Sequence, residues 1–184
     1  RKIKIMSGIV SDNLGRSSGL VKSAGGGGKV LQVVTNTLTA PATTTAQDAT
    51  FADTGLSAAI TPATTSSRIL ILVAIGAVGR SVANRQAAFR LDRSGTSIGI
   101  GDEAGSRGRV SFGLAMAHID RFSPASFTWL DSPSSTSSLT YKVEFSGAGG
   151  ETQTINAEDS PGTDNTDQPN SRSASSLTLI EIGA

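Results

Sequence analysis

The stretch Leu139–Ser146 reads LTYKVEFS, and its residues alternate: Leu139, Tyr141, Val143 and Phe145 are apolar, while Thr140, Lys142 and Glu144 between them are polar or charged. Successive side chains of a strand point to opposite faces, so this pattern makes a strand with one face in a core and the other in water. Around it, apolar runs of roughly five to ten residues recur between clusters of Gly, Pro, Ser, Thr and Asp, the signature of a β-sandwich or barrel. Strands are expected near 29–37, 48–54, 56–61, 67–78, 86–93, 96–101, 109–118, 126–131, 139–146, 151–156 and 175–182. The expected fold is all-β, an antiparallel β-sandwich of jelly-roll type with an extended N-terminal arm.

Composition points the same way. Of 184 residues, 26 are Ser and 20 are Thr, 21 are Gly, and the straight-chain helix formers are few. Such a mixture favours strands and turns over helices. The run 69–75, ILILVAI, is apolar on both faces and reads as a central strand covered on both sides. It is too short for a membrane span, which needs roughly twenty apolar residues. Phe112, Phe127, Trp129, Tyr141 and Phe145 are expected to supply most of the aromatic core, with Trp129 and Tyr141 facing inward by alternation. TPATTSS, LDSPSSTSS and RSGT carry turn chemistry between the runs, the last as a short hairpin around Gly95. The acidic region 151–173, with Glu151, Glu158, Asp159, Asp164 and Asp167, is expected to be largely an exposed, mobile loop.

The formal net charge of +1 conceals an uneven distribution. Residues 1–29 hold Arg1, Lys2, Lys4, Arg16, Lys22 and Lys29 against Asp12 alone, a local +5, and the remaining 155 residues sum to −4. A basic arm, residues 1–28, thus precedes a mildly acidic body, residues 29–184. Such an arm suits an acidic partner, whether protein or nucleic acid. Its six cations are dispersed and no aromatic lies among them, so nucleic-acid binding is not expected. RKIKIMSGIV has too short an apolar stretch for an export signal, and Arg1 reads as a processed or internal boundary, not a first codon.

Between arm and body stand Gly25, Gly26, Gly27 and Gly28, followed by Lys29. A phosphate loop would need a glycine five positions before the Gly-Lys pair and Ser or Thr after it; Ser23 and Val30 occupy those places. The four glycines read as a hinge that lets the arm leave the first strand at the angle a partner demands.

Little marks an enzyme. His118 stands alone at a predicted strand end and reads as a rim or turn residue. Asp92, Asp102, Glu103 and Asp131 are scattered over strand ends and turns, where solvation places charges. Gly99–Arg109, GIGDEAGSRGR, misses dinucleotide spacing by one residue and lacks the alternating oxygens of a calcium loop. Asp164–Asn170, DNTDQPN, is richer in oxygen ligands and could hold a metal ion, although no metal site is assigned. Catalytic residues and cofactors are expected to be none. Without cysteine, disulfides and thiol chemistry are excluded.

Five blocks, GRSSGLVKSAGGGGKVLQVV, TGLSAAITPATTSSRILILVAI, FRLDRSGTSIGIGDEAGSR, FTWLDSPSSTSSLTYKVEF and SSLTLIEIG, together resemble a module of structural proteins of tailed phages, especially those of marine and freshwater bacteria. The resemblance spans Gly15 to Gly183. It implies a non-enzymatic virion-surface protein with a β-sandwich body, fibre-like or decorating the particle, and a homotrimer. The partners it implies are the major capsid protein or a tail or baseplate protein, with a host surface glycan as a further candidate; membrane is not among them. RQAAF and the acidic 151–173 region depart from the module. A capsid decoration (cement) protein would use Arg1, Lys2, Lys4, Arg16, Lys22 and Lys29 to lie on the shell. A tail fibre or receptor-binding tip would attach by the arm and hold glycans in its loops. The chain has no heptad, collagen-like or β-helix repeat to build a shaft, which favours decoration. A free carbohydrate-binding sandwich is the third alternative, with Trp129 and Tyr141 as its only stacking candidates.

Overall fold

The computed structural model describes residues 28–116, 123–149, 151–157 and 172–183. They form eleven strands and no helix: β1 Val30–Leu38, β2 Ala42–Thr44, β3 Ala52–Ile60, β4 Arg68–Arg80, β5 Arg85–Arg93, β6 Thr96–Ile98, β7 Phe112–Met116, β8 Ser123–Asp131, β9 Leu139–Ser146, β10 Gln153–Ile155 and β11 Ser175–Ile182. One sheet runs β1-β11-β4-β10-β2, with β8 on the free side of β4; the other runs β3-β9-β5-β6, with β7 also on β5. All these ladders are antiparallel.

The pairing of the eight principal strands identifies the fold. The first pairs with the last (β1 with β11), the second with the second-last (β3 with β9), the third with the sixth (β4 with β8), and the two middle ones with each other (β5 with β7). A long hairpin rolled into two facing sheets gives this nesting, which is the jelly roll. The all-β sandwich expected from LTYKVEFS is therefore the fold.

The core is the filling between the sheets. Ile69, Ile71, Val73 and Ile75 of β4 and Leu177 and Leu179 of β11 meet Leu56, Ala58 and Ile60 of β3, Phe89 and Leu91 of β5 and Tyr141, Val143 and Phe145 of β9, all buried. Burying each large side chain of this set stabilises the fold by about 1.5–3 kcal/mol. Two seams close the sides. At one, Gln32 and Asn36 of β1 donate side-chain hydrogen bonds to the Thr61 and Ser57 carbonyls at 2.8 and 2.7 Å, spanning from sheet to sheet. At the other, Phe89 of β5, Phe112 of β7, Phe127 and Trp129 of β8 stack in near-parallel succession, with centroids 4.8, 5.3 and 6.2 Å apart.

The structure alters several sequence expectations. The segments 48–54 and 56–61 are one strand rather than two, because Gly55, at φ +82°, makes a bulge instead of a break. There Thr54 Oγ1 donates to the Val143 carbonyl at 2.6 Å and Asp53 Oδ1 accepts from the Gly55 amide. The strand expected to run to 101 ends at Ile98, that at 109–118 begins only at Phe112, and Ala42–Thr44 adds a strand. The run 69–75 is covered on one side only: Ile69, Ile71, Val73 and Ile75 are buried, while Leu70, Leu72 and Ala74 point outward. Glu151 is fully buried, not exposed, and faces buried Arg80 at 3.9 Å; burial pushes that guanidinium down and Glu151 opposes the shift. Residues 158–171 lie outside the described residues.

Candidate functional site

The outward positions of the first sheet come from four adjacent strands and line up in rows across it. Val33, Ile180, Leu70 and Leu130 form one row; Thr35, Thr178, Leu72 and Thr128 the next; Thr37, Ser176, Ala74 and Ser126 a third. None of these twelve side chains can ionise. Val33 is 57% exposed and Leu72 38%, and Val30 and Leu31 continue the apolar surface around the β1 edge. Thr35 and Thr178 hydroxyls hydrogen-bond each other at 3.0 Å. Exposed Arg68 borders these rows at the start of β4, and the rows themselves could be covered by another protein without desolvating an ion. The root of the arm lies at its end: the Gly28 amide donates to the Gly183 carbonyl at 2.8 Å, and the Gly183 amide donates to the Lys29 carbonyl at 2.8 Å.

The outward face of the second sheet is built differently. Arg90 donates from Nε and Nη2 to Glu144 Oε2 at 2.9 and 2.7 Å, Lys142 Nζ lies 2.9 Å from Glu144 Oε1, and Asp53 stands 3.8 Å from the same ammonium. The Arg90 guanidinium also lies over the Phe51 ring, 4.1 Å from its centroid. Burial alone would raise the Glu144 carboxyl; the hydrogen bonds from Lys142 and Arg90 overcome it and hold the group below its usual range. The bond to Glu144 raises Lys142 in turn. These charges are matched within the chain.

Of the residues expected to contact a partner, Lys29 is exposed at the start of β1, and of the expected hinge Gly28 takes φ +100°, a conformation that favours glycine. Arg1, Lys2, Lys4, Arg16, Lys22, Gly25, Gly26, Gly27, His118 and Asp164–Asn170 lie outside the described residues. The carboxylates do not converge on a catalytic pair. Asp92 Oδ1 accepts the Gly95 amide in the β5–β6 hairpin, Asp131 accepts from Arg93 and Tyr141, and Asp102 and Glu103 are exposed on a loop. Among the described residues no group of acids or histidines is placed to hold a metal ion. Gly95–Gly99 carries Gly-x-Ser-x-Gly spacing, but a nucleophile elbow needs a strand-to-helix turn and here Ser97 lies on β6 after a hairpin. Gly15–Gly19 repeats the spacing outside the described residues. An open cleft of about 930 Å³ lies between the segments at Asp48, Ser106–Gly108 and Gly147–Ala148, with Asp48 and Arg107 as its charged residues.

Trp129 corrects an expectation. Alternation puts it on the inward face, opposite Ile71, but β8 is an edge strand and the ring reaches the rim, 39% exposed. Tyr141, its companion in that expectation, is fully buried and donates to Asp131 Oδ2 at 2.7 Å. Nothing local in the sequence marks the uncharged face, since its four strands are distant in the chain; the one signal was the doubly apolar run 69–75.

No protein-family model matches the chain, and no curated protein does either. Among solved structures the chain is similar to the VP2 subviral particle of infectious bursal disease virus, at 13% identity and a TM-score of 0.34, over 82% of this chain and 39% of that one. This chain therefore corresponds to well under half of that protein.

Proposed function

We propose that the protein is a non-enzymatic structural component of a tailed-phage virion, a homotrimeric capsid decoration protein. It sits at the particle surface, bound to the shell through its basic arm and to neighbouring subunits through the uncharged face of its first sheet. The observation that carries this reading is the contrast between the two outer faces: one satisfies its charges internally, and the other leaves four strands of aliphatic and hydroxyl side chains uncovered beside the arm's root. The five sequence blocks that resemble virion modules support the setting. Closed symmetry suits an arm whose sequence offers few apolar residues, because a neighbour supplies the contacts such a sequence lacks. A tail-fibre or receptor-binding module is the alternative placement.

Labelled copies on intact particles test it. Copies spread densely over the head are expected, and a few copies confined to the tail would reassign the protein to a fibre. Light scattering of the full chain should give a trimer mass, three times 18.7 kDa or about 56 kDa. A monomer whose arm resists protease would contradict the assembly.

A further inference from the structure

Trp129 is 39% exposed on the inward side of β8, whereas Leu72, the nearest of the exposed large apolar residues along the β4–β8 ladder, points to the outer face. Its ring is held in place. Phe127 lies behind it at 6.2 Å and 9°, and that ring continues through Phe112 to fully buried Phe89. Gly99 of the facing sheet, at φ +59°, comes so close that an added Cβ would lie 3.1 Å from both Trp129 Cδ2 and Phe127 Cζ. A side chain there would crowd the ring, so the glycine keeps the rim open.

Two residues further along β8, on the same face, lies Asp131, about 7 Å away by strand geometry. Its carboxylate takes both bonds of Arg93 Nη1, at 2.9 and 2.8 Å. The pair is partly accessible, with 22% of the Arg93 side chain exposed, and Asp131 Oδ2 also accepts from the buried Tyr141 hydroxyl at 2.7 Å. The two sheets thus place a fixed, half-open aromatic plane within one sugar's width of a carboxylate–guanidinium pair.

From this geometry we infer that the rim between β8 and the β5–β6 hairpin binds a neutral pyranose sugar, its C–H face stacked on Trp129 and its hydroxyls against the partly exposed Arg93 guanidinium that Asp131 holds in place. An apolar protein partner would need contiguous aliphatic surface, which lies on the outer face and the β1 edge and not here. A pyranose matches the site because it too joins an apolar face to a fringe of hydroxyls. The site is independent of the virion reading and stands whether the protein decorates a head or tips a fibre.

Trp129 is the chain's only tryptophan, so intrinsic emission reports on this ring alone. The full-length protein is titrated with the methyl glycosides of glucose, galactose, mannose and N-acetylglucosamine and with their trisaccharides at millimolar concentration. A saturable shift of emission to shorter wavelength is expected for at least one of them. By calorimetry with that sugar, Trp129→Ala should weaken binding about tenfold or more. Trp129→Phe should recover part of the loss and Arg93→Gln should weaken binding several-fold, each variant melting as a cooperative fold. Absence of any shift across the panel, or undiminished binding by Trp129→Ala, would overturn the site. Emission that follows protein concentration and ignores sugar would also overturn it, by assigning the ring to a contact between copies.

Discussion

On the outer face of the second sheet, Asp53, Lys142, Glu144 and Arg90 satisfy one another across three strands, whereas the outer face of the first sheet carries Val33, Ile180, Leu70, Leu130 and Leu72 among threonines and serines, with Arg68 at its margin. Both faces belong to one jelly roll, so the fold does not require either pattern. A matched set of charges is content in water. Uncovered aliphatic surface is not, and it gains only when something covers it. On the proposed reading, the difference separates the side of the molecule that meets solvent from the side that meets a partner.

The sharpest contrast lies within β4, where Ile71 faces in and Leu72 faces out. Ile71→Ala should cost about 2–5 kcal/mol of folding stability by chemical denaturation. Leu72→Ala should change the melting of the isolated body by no more than about 0.5 kcal/mol. Leu72→Glu should leave the body folded but weaken assembly about thirtyfold or more, because it buries a charge at the centre of the face; unchanged assembly by light scattering would erase the distinction.

Next in size is the charged face. Glu144→Gln leaves Arg90 and Lys142 without their shared anion and should cost about 1–3 kcal/mol. Because the folded-state value of Glu144 is lowered, its stabilising contribution is present above the ordinary carboxylate range and is lost as pH falls through that lowered value. Lys142 is raised, so its contribution is present below the ordinary lysine value and is lost as pH climbs through the raised one. Glu181 adds to the acid limb: burial would raise it, but bonds from Ser67, Gln32 and the Ala63 amide hold it low. Thermal melts across pH should therefore fall at both extremes, and Glu144→Gln should flatten part of the acid fall.

Smaller effects are expected at two glycines. Gly99→Ala should cost about 1–2 kcal/mol, from its positive φ and the close rings, and should shift Trp129 emission. Replacing Gly25–Gly28 by alanine should cost the body roughly 1 kcal/mol at most, through Gly28 at φ +100°, while weakening assembly. Assembly unchanged by that substitution would show that the glycines are no hinge.

Local alternation made much of the fold legible. LTYKVEFS placed Tyr141, Val143 and Phe145 in the core correctly, and the turn at Gly95 formed where the sequence put it, with Ser94 and Gly95 both at positive φ. What stayed hidden depends on which strand lies beside which. The doubly apolar run 69–75 announced two covers, but the pattern cannot distinguish a cover from the same chain from one supplied by another molecule. Trp129 was assigned the right face and the wrong depth, since only the pairing with β4 reveals that β8 lies at an edge. Glu151 looked solvated because its burial partner, Arg80, lies on a distant strand. The same holds for the rim site, where Gly99 and Arg93 from one sheet meet Trp129 and Asp131 from the other.

The absence of cysteine makes the central contrast directly measurable, because one introduced thiol reports one position. Leu72→Cys on the uncharged face and Asp53→Cys on the charged face, where the Asp53 side chain is 52% exposed, can each be treated with a maleimide in the isolated protein and in assembled particles. If the uncharged face is the buried one, assembly slows labelling of Leu72→Cys by about tenfold or more and leaves Asp53→Cys unchanged. Equal labelling of the two in assembled particles would contradict that assignment.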